Sequence, residues 1–460
     1  MGGRYKMKKI SKSWFYPVVL LGMLTMLIVT TGIYASSITN QSMQSLEKSP
    51  VTLQTAAENN ILSWNTTWGG SGEEQGFGVA VDTSGAVYCV GYTTSFGGVS
   101  YDLALVKFDS QGTKLWNITW DSSDAEMGFG VTVDATGSVY CVGSVGGAIQ
   151  DMLVVKFAPN GTQLWNTTWG SGAYADFGKD VAVDASGAVY CVGETYSFGP
   201  GTPTTGNWAL VKFAPNGTQL WNTTWGGPEV DHVLGVAVTS GAVYCVGETY
   251  SFGPGTPTTG NWALVKFAPN GTRLWNTTWG GSNNDRGKDV AVDASGAAYC
   301  VGGTESFGAD DENLALVKFA PNGTRLWNTT WDGGSDDTGE GVAVDASGFV
   351  YCIGGTDISG AGDDVLALFK FDSHGTILWN TTWDDGAGGY CQGIAVDASG
   401  SVYCVGATTS FGTGSTDFLL IKFSSPSGGG IPGFDLLYLL CGLLALAYIV
   451  QRRKSPRSPL

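Results

Sequence analysis

The sequence predicts an all-β fold. It reads as a seven-bladed β-propeller of four-stranded blades, closed by a one-plus-three clasp, with an apolar helix at each end of the chain. Three observations predict this. A Trp-Asn-x-Thr-Trp segment recurs seven times, its first Trp falling at 64, 116, 165, 221, 275, 327 and 379. The spacings of 52, 49, 56, 54, 52 and 52 set a period near fifty residues, which points to propellers or solenoids. Each period holds four short runs rich in Val, Tyr, Phe, Trp and Thr, the residue types that pleated surfaces favour.

The four runs are taken in order from the first full copy. The first is Gly78–Asp82, the second Ala86–Gly91, the third Leu103–Phe108 and the fourth Leu115–Trp120. Runs one and two are joined by Asp-Ala-Ser-Gly or its variants. Runs three and four are joined by Ala-Pro-Asn-Gly-Thr or Asp-Ser-Gln-Gly-Thr. Both links are short Gly-containing hairpin turns. The other two links are long and variable, so each unit is a four-stranded antiparallel blade. The chain opens with a lone fourth run, Leu62–Trp68, and closes with a first, second and third run at Gly393–Asp397, Ser401–Gly406 and Asp417–Phe423. Joining these makes the seventh blade and leaves no open edge.

The pattern Val-Asp-Ala-Ser-Gly-x-Val-Tyr-x-x-Gly, followed by a Phe-Gly-containing loop, resembles the seven-bladed β-propeller repeat family found in many bacterial and archaeal surface proteins. The resemblance covers about 365 of the 460 residues. Blade four departs from it, because Val238-Thr239-Ser240-Gly241 is one residue shorter and lacks the Asp. The family has no uniform activity, so the resemblance implies fold and surface location and leaves the chemistry open.

The repeats are acidic. Residues 61–425 hold 37 acidic against 13 basic residues, and the whole chain carries −17. Such a surface repels nucleic-acid phosphates, so no nucleic-acid partner is expected. Basic residues gather at the ends. Arg4, Lys6, Lys8, Lys9 and Lys12 precede an apolar run from Trp14 to Ala35, the order of a secretion signal or signal anchor. A linker is expected over 36–60, the propeller over 61–424, and a Gly/Ser spacer over 425–433. An apolar run over 434–450 is barely long enough to span a bilayer, and the basic tail 451–460 would stay inside. Pro432, Gly433 and Phe434 ahead of that run resemble the C-terminal sorting signal of archaeal surface proteins. A permanent anchor and a processed one both remain open.

Repeated residues have structural explanations. The paired Trp residues are expected to pack between blades, with sugar stacking as the rival role. Cys89, Cys141, Cys191, Cys245, Cys300, Cys352 and Cys404 hold one position in run two and read as small buried apolar residues. Cys391 lies outside that set, near enough to the hairpin of Cys404 to pose a disulfide. Lys107, Lys156, Lys212, Lys266, Lys318, Lys370 and Lys422 precede Phe in run three. They read as charge partners or Trp-stacking stems inside each blade. Glycan-acceptor sequences occur at Asn40, Asn65, Asn117, Asn160, Asn166, Asn216, Asn222, Asn270, Asn276, Asn322, Asn328 and Asn380, and glycosylation is expected on an exported chain.

Sequence variation gathers on one face, the face of the two long links, and a rigid scaffold presents binding through such loops. These links hold Asp310-Asp311-Glu312, Asp336-Asp337 with Glu340, Asp363-Asp364 and Asp384-Asp385. Ca²⁺ could use such oxygens, but no calcium-loop spacing is present, so they read as a solvated acidic rim. No cofactor, metal ligand or catalytic residue is singled out. The repeats contain only Arg273, Arg286 and Arg325, and the chain only His232 and His374. That is too few for an arginine-cluster or histidine-metal site. The expectation is an exported, membrane-anchored cell-surface propeller that binds a surface protein or polysaccharide without turnover. The rivals are a carbohydrate-active enzyme with an acidic pair near the central channel and a purely structural envelope component.

Overall fold

The computed structural model describes residues 62–424, except 99, 309–310, 357–364 and 387–388. The apolar ends, Asn40, Pro432, Gly433 and Phe434 lie outside the described residues. Among those described, no helix is long and apolar enough to cross a membrane.

Among the described residues, twenty-eight strands form seven four-stranded antiparallel sheets. After β1 (Leu62–Trp68), blade 1 comprises β2 (Glu74–Val81), β3 (Val87–Thr93), β4 (Asp102–Phe108) and β5 (Lys114–Trp120). Blades 2 to 6 repeat this as β6–β9 (126–169), β10–β13 (176–225), β14–β17 (231–279), β18–β21 (285–331) and β22–β25 (337–383). Blade 7 comprises β26 (Tyr390–Val396), β27 (Val402–Thr408), β28 (Asp417–Phe423) and β1, with Asn65 opposite Ile421 and Trp68 opposite Phe418. The one-plus-three clasp is therefore present as the repeat count required.

The core is a set of seven interfaces between neighbouring blades. Successive side chains of a strand point to opposite faces. Tyr88 and Val90 accordingly pack against blade 2, while Val87 and Cys89 pack against blade 7. All four are fully buried. The two middle strands of each blade are covered on both faces, which explains their nearly continuous apolar sequence. The seven repeated cysteines and Cys391 are buried free thiols.

The paired Trp residues do pack between blades. The Trp165 indole of blade 2 donates to Pro215 O of blade 3 at 3.0 Å, and Gly112 of blade 1 lies against the Trp64 ring. The Lys residues bear out part of the reading and depart from the rest. Lys156 and Lys318 meet Asp134 and Asp293 of their own blades at 4.0 and 3.9 Å, and Lys107 and Lys266 lie 5.9 and 5.8 Å from the Trp116 and Trp275 rings. Lys107 Nζ sits over the Tyr88 ring at 4.7 Å and donates to Pro159 O of the next blade at 3.2 Å. Lys156, Lys212 and Lys266 reach the next blade in the same way. The chief ring partner is Tyr, and the lysine ties blades together instead of serving its own blade alone.

A second departure concerns the innermost strand. It begins at Glu74, four residues before the Gly78 start read from sequence. The cause is a β-bulge between Gly76 and Gly78. Its extra residue shifts the alternation, so Glu74-Gln75-Gly76 looks like a polar loop. The bulge recurs in every blade. It also accounts for the glycine that follows Cys-Val. A Cβ on Gly91 would lie 1.8 Å from Gln75 O, and one on Gly193 would lie 1.7 Å from Phe177 O.

Candidate functional site: the mouth of the central channel

The bulge places one unpaired residue per blade on the channel. These are Phe77, Phe129, Lys179, Leu234, Lys288, Glu340 and Gln392, and all seven line one cavity of about 150 Å³. Bulges re-aim a side chain, and here they aim seven unlike ones at one space. The blades that repeat almost every other position diverge at this one.

Two residues nearer the variable face is a second ring: Gln75, Met127, Phe177, His232, Arg286, Thr338 and Tyr390. Together the rings divide the mouth into two arcs. Phe77 and Phe129 have ring centroids 5.1 Å apart, and Tyr92 and Tyr101 meet edge-on at 4.8 Å. Gln75 joins this aromatic arc, donating to the Tyr390 hydroxyl at 2.5 Å and accepting from Tyr92 at 3.1 Å. The other arc is ionic. Glu194 meets His232 at 3.1 Å and Lys179 at 3.7 Å, Glu248 meets Arg286 at 3.4 Å, and Lys288 meets Glu340 at 2.5 Å. Glu194 and Glu248 are both buried. Burial acts to raise the Glu194 pKa, but the His232 hydrogen bond and the Lys179 charge outweigh it, and the carboxyl falls below its ordinary value.

A cavity of about 290 Å³ opens between blades 6 and 7 and shares Glu340 and Gln392 with the channel. It exists because Gly355 faces Thr338 across the strand pair, where blade 3 has Glu194 facing Phe177. Two of its lining atoms, Thr338 Oγ1 and Gln392 Oε1, are buried without a hydrogen-bond partner. Native proteins pair nearly all such atoms with protein or water, so the cavity offers a donor–acceptor hydroxyl and an amide acceptor for hydrogen bonding.

The channel also holds an acidic pair, Asp180 and Asp289, at a position that is glycine in the other five blades. Each side chain sits deep in the ring, and burial raises both pKa values. Both oxygens are engaged, however. Asp180 accepts from Val181 N and Val236 N at 2.8 Å each; Asp289 accepts from Val290 N at 2.7 Å and Val342 N at 2.8 Å. Each carboxylate thus staples its blade to the next.

The sequence-expected residues are distributed as follows. Ten of the eleven described acceptor asparagines are exposed, and Asn380 is half-buried. The Asn160, Asn216, Asn270 and Asn322 side chains accept the amide two residues on, each at 3.1 Å, as the hairpin turn requires. Asp311, Asp336 and Asp384 are exposed, as expected of a rim. Asp337 is not: it is fully buried at the start of β22, and burial raises its pKa to about 6. Asp310, Asp363 and Asp364 lie outside the described residues. Apart from Glu340, the mouth was not found from sequence as a site. The signal was available: aligning the copies on Gly-Val-Ala-Val puts Phe, Phe, Lys, Leu, Lys, Glu and Gln in the column just before it.

The fold and this mouth define the chain as a seven-bladed β-propeller with one asymmetric channel end. No family model and no curated protein matches the sequence. Similar solved structures include Sqt1 from Chaetomium thermophilum, 12% identical, covering 80% of this chain and 100% of that one, with a TM-score of 0.46. They also include the gluconolactonase XC5397 from Xanthomonas campestris, 11% identical over 78% and 89%, at 0.39. A polysaccharide lyase acting as an ulvan lyase is 10% identical over 77% and 95%, at 0.46. The fold assignment rests on the strand pairing of the chain itself.

Proposed function

We propose that the chain is an exported, membrane-anchored cell-surface propeller that binds a polysaccharide at the mouth of its channel without chemical turnover. One observation carries the reading: seven otherwise repeated blades place seven unlike side chains around one cavity, beside a pocket holding two unpartnered polar atoms. Aromatic rings beside polar groups suit a sugar, whose ring has apolar faces and a hydroxyl edge. Binding sites of this kind combine apolar walls with a few fixed polar groups. The charge pattern and apolar run at each end support export and anchoring. What speaks against catalysis by an acidic pair is that Asp180 and Asp289 spend their oxygens on backbone amides.

The test is a binding panel of acidic and neutral polysaccharides against the full chain, with product analysis by chromatography. Saturable binding with no shortened product is expected. Gln392→Ala should weaken binding by about tenfold, as for a lost site hydrogen bond. Cleavage of any polysaccharide would overturn the non-enzymatic reading. Binding of a surface protein alone would replace the ligand class.

A further inference from the structure

At six of the seven junctions neighbouring blades meet, on the variable face, at a buried acid that opens the inner strand; blade 7 opens on Tyr390 instead. Glu74, Asp176, Asp231 and Asp285 are all fully buried. Each is satisfied by hydroxyl donors from the end of the second strand. Thr93 donates to Glu74 at 2.7 Å. Thr195 and Ser197 donate to Asp176 at 2.5 and 2.6 Å. Asp231 accepts from Thr249 and Ser251, and Asp285 from Thr304 and Ser306. A glycine closes the group. A Cβ on Gly170 would fall 1.9 Å from Asp151 Oδ1 and 2.8 Å from Asp176 Oδ2.

The junction of blades 1 and 2 breaks this pattern in two ways at once. In the second strand of blade 2, β7 (Val139–Val145), Val145 stands opposite Glu126 where other blades have Thr, and Gly147 stands where five of them have Ser. The hydroxyl donors of the second strand are gone. The residue after the outer strand is Asp121, an acid as at Asp332 and Asp384 where four junctions have glycine, at 69, 170, 226 and 280. Donors have been removed and a third carboxylate added. Asp102, Asp121 and Glu126 each bring an oxygen within 4.8 Å of the others. Asp102 and Glu126 are fully buried, and Asp102 Oδ1 and Glu126 Oε2 have no hydrogen-bond partner. The remaining oxygens of that pair accept only from Gly98 N, at 2.9 Å, and from Ser122.

We infer that Asp102, Asp121 and Glu126 form a divalent-cation site, with Ca²⁺ as the ion that fits. The donors are all hard oxygens, and three carboxylates leave coordination positions for water on the exposed Asp121 side. Zinc and copper would call for His or Cys, and none converges here. Without a cation the group is electrostatically frustrated. Three carboxylates converge there, and two of their buried oxygens have no donor to offset the negative charge. A bound cation would tie blade 1 to blade 2, as the Thr and Ser hydroxyls close the other junctions within a blade.

The experiment uses the chelator-stripped full chain titrated with Tb³⁺, read by luminescence sensitised from Trp120, and then with Ca²⁺ as competitor. One saturable site displaced by Ca²⁺ is expected. Asp121→Gly, which installs the residue found at four other junctions, and Asp121→Asn should each weaken Ca²⁺ binding by about tenfold or more, as loss of one ligand charge would. Circular dichroism of both variants should be unchanged. Asp121 is exposed, so at least the Asn variant retains the fold. No saturable binding, or binding equal in wild type and both variants, would overturn the site.

Discussion

Glu194 holds the one histidine at the channel mouth. His232 is raised above its ordinary 6.5, first by its hydrogen bond to Glu194, with burial opposing. Glu194 is lowered below its ordinary 4.5 despite burial, because of His232 and Lys179. A raised histidine stabilises the fold below its unfolded pKa and loses that contribution as pH rises through the folded value. A lowered glutamate stabilises above its unfolded pKa and loses that contribution as pH falls through the folded value. The pair is therefore at full strength only between about 4.5 and 6.5. Replacing Glu194 with Gln should return the imidazole midpoint toward its ordinary value in an NMR titration. A midpoint that stays put would mean another group holds the histidine. The same mouth shows what a residue-level reading misses. His232 was visible as one of two histidines, but its partner Glu194 is 38 residues away on another blade. Only the packing of blade 4 on blade 3 brings them together.

Strands repay a similar look. β1 belongs to blade 7 although blade 1 follows it in the chain. Deleting residues 62–68 would strip Trp68, which is 6% exposed, from the interface of blades 7 and 1, and would leave β28 with an open edge. A loss of about 3–5 kcal/mol is expected from the Trp alone. The lowered denaturant midpoint should come with association through the bared strand. A monomer of unchanged midpoint would show that the clasp does not hold the ring. This closure was legible in the sequence, because strand counting needs only the order of runs. The inner strand was less so. Its apolar residues from Val79 onward read correctly, but the bulge at Phe77 breaks the two-residue period, and Glu74 looks like loop until its burial is seen. Lys107 was legible as a residue that stacks within its own blade, though on Trp and not on Tyr88. The reach of Lys107 to Pro159 was not, because the packing of one blade on the next sets it.

For the whole molecule, repetition and divergence separate cleanly. Residues shared by the blades, such as Tyr88, Cys89, Lys107 and Trp116, build the seven interfaces. Residues that the blades do not share gather at the channel mouth and at the junction of blades 1 and 2. A ring with sevenfold repetition presents equivalent positions around one axis, so unlike residues there create a single asymmetric site, not seven copies. The central claim is that a ligand is held in this mouth, with its contacts concentrated between blades 6 and 7. The most direct measurement is a structure of the full chain with an oligosaccharide taken from the tightest-binding polysaccharide. The account predicts the sugar in the cavity of Thr338, Glu340, Tyr390 and Gln392, hydrogen-bonded to Thr338 Oγ1 and Gln392 Oε1. Sugar bound instead on the outer strands, against the exposed Leu115 or Leu164, with the mouth holding only water, would contradict it.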